Sequence, residues 1–285
     1  MSGVVVPTRG TASRRGAGPA VWLAAAFLVL LAVAVLAPQV LAPGNPLATD
    51  PPAAFTPPGP AHWFGTDASG RDVATRVVHG ARASLTIGVL ATAIGVGLGL
   101  ALGLLGARLV PGLAGRVLDT ASTRFTEVML AFPGLVLALF VITLYGPGPV
   151  TVTIAVGLST APGYARIIRA QVRQVASSGY VEAERLLGRP WPGIVARTIV
   201  PNAVWPLVAV VTLGIGQAVV WASALSYLGF GVAPPAPEWG AMLSDGRTYL
   251  TTAWWMSVFP GLAIVATALA TASLGRFWQR RVRER

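Results

Sequence analysis

The side chains that could do chemistry are few and one-sided. There are two His (His62 and His79), ten Asp and Glu, and 21 basic residues, all of them Arg. Without Lys there is no Walker-type phosphate loop, whose Lys reaches the β- and γ-phosphates, and no Schiff-base Lys. Without Cys there is no disulfide, thiolate metal site or Cys nucleophile. His62 and Asp67 could be imagined as metal ligands, but two ligands in one loop make a poor site. A hydrolase working inside a membrane would need Ser with His, or two Asp, within apolar segments. A proton-driven carrier would need ionisable groups at mid-membrane depth. At mid-span depth the polar groups are Ser, Thr and Gln217, all neutral. The residues therefore support neither an intramembrane hydrolase nor a proton-driven pump, and leave a pore-forming subunit whose energy comes from elsewhere.

One polar stretch has a shape worth reading closely. It runs Gly179-Tyr180-Val181-Glu182-Ala183-Glu184-Arg185-Leu186-Leu187-Gly188-Arg189-Pro190-Trp191-Pro192-Gly193-Ile194-Val195 and on to Pro201-Asn202. The pattern predicts a short helix from about Tyr180 that stops at Gly188, a good C-terminal stop. Trp191, Ile194 and Val195 then begin a second short helix. The result is a helix–turn–helix with an exposed knob at its turn.

The elements around that stretch are apolar. Apolar residues make up 54% of the chain and charged residues 11%, where an average soluble domain carries roughly 25% charged. Mean hydropathy is +0.67. A helix needs roughly 20 residues to cross the hydrocarbon core. The apolar or charge-free runs are Val21–Ala37, Ala83–Ala107, Val128–Ala165, Thr198–Pro237 and Thr248–Gly275. Gly146-Pro147-Gly148-Pro149 splits the third run in two. Six helices are expected, at about 20–38, 82–107, 125–145, 149–168, 202–226 and 255–275. The first run could instead be a leader cleaved after Val35-Leu36-Ala37, although Pro38 directly beyond counts against cleavage.

Arg placement orients the helices, because basic residues favour the cytoplasmic side. With the N-terminus inside, the inside segments hold 17 Arg and the outside segments hold four, Arg71, Arg76, Arg82 and Arg247. Both termini are then cytoplasmic, in a multi-pass protein of the cell membrane. The net charge of +11 sits between apolar spans, so the expected surroundings are a lipid bilayer and not nucleic acid. The layout is a tail over 1–19, a first span over 20–38, an outside connector over 39–81, a five-helix core over 82–275 with an inside loop over 170–201, and a basic tail over 276–285.

The outside connector holds seven Pro between residues 43 and 60, which makes it extended. A short interfacial helix over about 71–81, capped by Thr66 or Asp67, would anchor the second span, with Trp63 and Phe64 at the lipid interface. Alternatively this region is a docking surface. The other outside segment covers 229–250, where Asp245 and Arg247 are close enough to pair. Gly95, Gly99 and Gly103 form a small-residue ladder on one helix face, suited to packing within the chain or against a partner subunit.

Glu182, Ala183, Gly188 and Pro201 match the spacing of the EAA loop, and the segment resembles that loop in ABC-transporter permeases of the binding-protein-dependent import type. Glu184 departs, since Ala is usual there, and alters the charge of the docking face. Val200 stands where Leu is usual. Gly65-Thr66-Asp67-Ala68-Ser69-Gly70-Arg71-Asp72 and Gly80-Ala81-Arg82-Ala83-Ser84-Leu85 resemble the approach to the second span in dipeptide, oligopeptide and nickel permeases. Leu225-Ser226-Tyr227-Leu228-Gly229-Phe230-Gly231, Pro234-Pro235, Pro237, Trp239-Gly240, Met242-Leu243 and Phe259-Pro260-Gly261 resemble the same group, in its C-type member. Ser273-Leu274-Gly275-Arg276-Phe277 departs from the family's usual Leu-Gly-Asp stretch.

The resemblance implies an all-α integral membrane protein with the type I ABC importer permease fold. It implies half of a translocation pore, most simply for di- or oligopeptides, with nickel, glutathione-like or other small solutes as alternatives. The expected partners are a second related permease, two ATP-binding subunits or domains and an extracytoplasmic substrate-binding protein. No cofactor is expected on this chain; ATP and Mg belong to the partner ATPases. Tyr180, Glu182, Ala183, Glu184, Gly188 and Pro201 are the expected ATPase-coupling residues. A membrane-embedded enzyme and an ATP-independent channel or carrier are rivals from other classes. The missing span His and Asp weigh against the first, and the lack of visible inverted repeats against the second.

Overall fold

The computed structural model describes residues 18–283. Arg9, Arg14, Arg15 and Arg285, with most of the expected N-terminal tail, lie outside the described residues. The described chain is mostly helical, with irregular connectors over about 42–72 and 228–238 and, among the described residues, one β-bridge between Thr66 and Asp72. In order the helices are α1 (Pro19–Leu36), α2 (Pro38–Leu41), α3 (Val73–Leu105), α4 (Gly112–Ala131), α5 (Gly134–Tyr145), α6 (Pro149–Ala176), α7 (Gly179–Leu186), α8 (Trp191–Ile194), α9 (Val200–Val204), α10 (Leu207–Tyr227), α11 (Trp239–Gly246) and α12 (Trp255–Arg283).

By length and composition, α1, α3, α10 and α12 can each cross a membrane, and α4 with α5 makes a fifth candidate. The fourth expected span, 149–168, corresponds to α6, which is 28 residues long but diluted by Arg166, Arg169 and Arg173 and by its Thr and Gly residues. The third expected span, 125–145, is not one straight helix. It begins earlier, as α4, and bends by 93° where α4 gives way to α5. Pro133 is the cause. Its ring disfavours helical backbone at the residue before it, and Phe132 is accordingly extended (φ −88°, ψ 138°).

The second helix also differs from expectation. The interfacial segment over 71–81 and the second span are one uninterrupted helix, α3. Its cap is Asp72, not Thr66 or Asp67: Asp72 Oδ2 accepts from Thr75 N at 2.7 Å and from Thr75 Oγ1 at 2.8 Å. The last helix runs through most of the expected basic tail, to Arg283. Pro201 and the apolar residues after it do not start a continuous fifth span. They fall in α9, and the chain turns at Trp205-Pro206 before α10.

The core forms where α3, α6, α10 and α12 pack. Gly95, Gly99 and Gly103 all face α6. A Cβ on Gly99 would sit 2.5 Å from Tyr164 Cβ, and one on Gly103 would sit 2.8 Å from Ile168 Cγ2. The small-residue ladder therefore serves contact within the chain, allowing two backbones to approach closely. The α1 helix joins the bundle through Leu31 and Ala34, which cluster with Ala81, Val219, Trp239 and Ile264.

Candidate functional site

The expected loop folds as its residues predict. Ser178 precedes α7, and the helix ends through Leu187 into Gly188 at φ +73°. Gly188 N donates to Arg185 O at 3.0 Å and Arg189 N donates to Glu184 O at 3.2 Å. This paired closure is the Schellman motif, which needs a left-handed residue and therefore favours Gly. Space around a Gly188 Cβ is open, so backbone conformation, not crowding, demands glycine there.

From Trp191 a second helical stretch runs through α8, a π-turn over Val195–Ile199 and α9. In the π-turn Val200 N donates to Val195 O. Pro201 follows directly; it has no N–H and its ring crowds the carbonyl four residues back, so the backbone widens to pass it.

The knob presents apolar side chains outward. Leu186 is 84% exposed, Leu187 77% and Tyr180 48%. Glu182 and Ala183 are also exposed, whereas Val181 is fully buried against the bundle. Glu184 corrects the expectation that it charges the docking face. Its carboxylate turns back across the helix pair, accepting from Thr198 Oγ1 at 3.0 and 3.1 Å and from Arg189 Nη1 at 3.2 Å. It fastens α7 to the second helical stretch. Pro201 lies beyond this clasp, in α9.

The opposite end of the bundle is a girdle assembled from distant segments. Glu238 is buried and caps α11, accepting from Gly240 N at 3.0 Å and Ala241 N at 2.9 Å. It also accepts from Ser84 Oγ at 2.9 Å. Trp239, 1% exposed, donates from Nε1 to Val77 O at 2.8 Å. Trp255 Nε1 donates to Thr66 O at 3.0 Å. Arg76 lies 3.6 Å from Asp67 Oδ2 and donates to Pro235 O at 3.1 Å. Asp67 Oδ1 holds its own turn by accepting from Ser69 N and Arg71 N. His62 pairs with Asp72 at 3.1 Å, so His62 and Asp67 have separate partners. Phe64 stacks on Phe259 at 4.0 Å, while Trp63 is 77% exposed. Asp245 and Arg247 do not pair; Arg247 lies over the Tyr227 ring at 5.7 Å.

Residues 81–284 match the family described as the binding-protein-dependent transport system inner membrane component. This chain belongs to that family. It is 37% identical over 255 residues to the di/tripeptide transport system permease protein DppC of Pseudomonas aeruginosa, covering 87% of this chain and 82% of the relative. It is 35% identical over 243 residues to the dipeptide permease protein DppC of Alkalihalophilus pseudofirmus, covering 85% and 78%. It is 38% identical over 218 residues to the glutathione transport system permease protein GsiD of Pectobacterium atrosepticum, covering 76% and 71%. Among solved structures, an amino acid ABC transporter with histidines is similar at a TM-score of 0.58 and 19% identity, covering 72% of this chain and 94% of that one. The inward-facing methionine transporter MetNI is similar at 0.58 and 20%, covering 72% and 95%. The permease thus has the type I ABC importer fold.

Two features that anchor the permease's loop have only weak sequence signals. Trp191 Nε1 donates to Leu109 O at 2.5 Å, and Arg185 stacks over the Trp191 ring at 4.1 Å. These contacts tie the loop to the α3–α4 connection. Below them Asp119, 4% exposed, accepts from Arg108 Nε and Arg173 Nη2, each at 2.6 Å. Arg173 also donates to Gly106 O at 2.9 Å. One carboxylate thus joins α4, α6 and the connection. Asp119 shares α4 with several other polar residues, so nothing local singles it out, and its two partners lie 11 and 54 residues away.

Proposed function

We propose that the permease serves an ATP-driven importer of di- or oligopeptides, as a non-catalytic subunit forming half of the pore. The observation that carries the coupling part is the knob: Leu186 and Leu187 are exposed on a rigid helix pair closed by Gly188. Apolar side chains held this far out by a fixed turn suit insertion into a groove on a partner. That partner is an ATP-binding subunit, and nucleotide binding and hydrolysis there move the knob and switch the pore. Tyr180, Glu182 and Ala183 flank the knob on its exposed side. A second permease and an extracytoplasmic binding protein complete the assembly, the latter delivering substrate at the girdle end.

The Arg distribution supports cytoplasmic termini and a cytoplasmic loop. Cys at exposed Ala68 should react with a membrane-impermeant thiol reagent from outside intact cells, and Cys at Arg189 should not. Labelling at Arg189→Cys would reverse the orientation.

The di/tripeptide and dipeptide names of the relatives support a peptide substrate. Deleting the gene in an auxotroph fed only peptides should abolish growth. The glutathione relative supports a second reading, a small non-standard peptide or related solute. Normal growth on di- and oligopeptides, with lost uptake of glutathione or loss of a nickel-dependent activity, would move the assignment.

A further inference from the structure

We infer that the permease binds a phosphate-bearing anion, expected to be the headgroup of an anionic lipid, in the pocket between the α3–α4 connection and the loop. The pocket measures about 410 Å³ and is lined by Arg108, Pro111, Arg185, Arg189, Trp191 and Ile194. Three guanidinium groups thus face one space, and each has donors to spare. Arg108 uses Nε on Asp119, and Arg189 uses Nη1 on Glu184. Arg185 lays its flat face on Trp191, which leaves its N–H edge free. Arg108 shares the Asp119 carboxylate with Arg173, Arg189 pairs with Glu184, and Arg185 pairs with no carboxylate. The planar fork of Arg matches phosphate oxygens two at a time.

A lipid fits better than a soluble phosphate because of what lies beside the pocket. Immediately after Pro111, Leu113 and Val117 on α4 are 77% and 57% exposed. A basic pocket next to a bare apolar helix face suits a headgroup with its acyl chains attached. Trp191, in the pocket wall, is a residue type that favours the interface. A free phosphate would use the arginines and leave the apolar face uncovered. The inference is independent of the transported solute.

The test is native mass spectrometry of the full chain in mild detergent, titrated with phosphatidylglycerol, phosphatidylcholine and inorganic phosphate. Phosphatidylglycerol should be retained in preference to phosphatidylcholine, and millimolar inorganic phosphate should not displace it. The double variant Arg185→Gln/Arg189→Gln should bind about thirtyfold more weakly, from the loss of two arginines near the lipid surface. Both positions are exposed, and Glu184 keeps its Thr198 contact in this variant. If it nevertheless fails to accumulate, Arg185→Lys/Arg189→Lys should show a several-fold loss, since the charge stays and the fork goes. Unchanged retention in either variant overturns the site. Displacement by inorganic phosphate overturns the lipid and gives the pocket to a soluble anion. Loss of the lipid when ATP-binding subunits are added also overturns it, and assigns these arginines to carboxylates of that partner.

Discussion

The girdle and the loop end use their polar and apolar residues in opposite ways. In the girdle, Glu238, Ser84, Asp67 and Arg76 turn inward and spend their hydrogen bonds on the chain itself. Trp239 and Trp255 are buried with their indole N–H groups satisfied. At the loop end, Glu184, Asp119 and Arg173 also fix the shape from within, but the large side chains of Leu186, Leu187 and Tyr180 point out. Burial stabilises a protein, whereas exposed apolar surface is of use only when something covers it. The girdle therefore reads as structure that the bundle needs to fold, and the knob as structure made for a contact outside the chain. Mutations should separate the two: girdle changes should lower the amount of folded protein, and knob changes should leave it intact and uncouple it.

The largest stability effect is expected for Trp239→Ala. It empties a fully packed site and leaves Val77 O without its indole donor, at a cost of about 3–5 kcal/mol. Accumulation in the membrane and the melting temperature in detergent should both fall sharply. Normal accumulation would remove the contrast. Asp119→Asn comes next, because it weakens two charge-assisted bonds and leaves two arginines without a counter-ion. About 2 kcal/mol should be lost, discounted because both arginines are partly exposed, and thermal unfolding of the purified chain would show it.

Gly188→Asp sharpens the comparison most. A non-Gly residue in this left-handed turn costs only about 1 kcal/mol, so the protein should accumulate nearly normally. Uptake and co-purification of the ATP-binding subunit should nevertheless be lost. Wild-type uptake together with wild-type co-purification would show that the knob does not couple. Glu184→Ala should cost under about 1 kcal/mol, since its partners are reached by water, and transport should drop only modestly. Arg281→Gln is the control: its contact is with the Phe277 ring at 4.9 Å. Stability and uptake should both stay at wild-type level.

The loop was legible because its determinants are local. A helix that stops at Gly188 and another that starts at Trp191 follow from residues a few positions apart, and the family spacing of Glu182, Ala183, Gly188 and Pro201 reinforces them. Pro133 was equally local: the rule that bends α4 into α5 acts on neighbouring residues, yet charge-free run length masks it. The α3 boundary misled for a similar reason. Arg76 and Arg82 interrupt the apolar run, but a charged residue does not interrupt a helix once it is paired with Asp67 or, for Arg82, bonded to Val35 O.

Composition and hydropathy alone determined that this is a helical membrane chain without Lys or Cys, because apolar content and missing residue types need no fold to be read. Local pattern determined the helix–turn–helix, because capping and turn energies act over a few residues. Only the tertiary structure decided that Glu184 clasps inward, that Gly95, Gly99 and Gly103 meet α6, and that Glu238 meets Ser84 154 residues away. It alone gathered Arg108, Arg185 and Arg189 around one pocket. Such partners are chosen by the packing of whole helices, which sets which distant side chains share a space, and no short stretch of sequence contains that information.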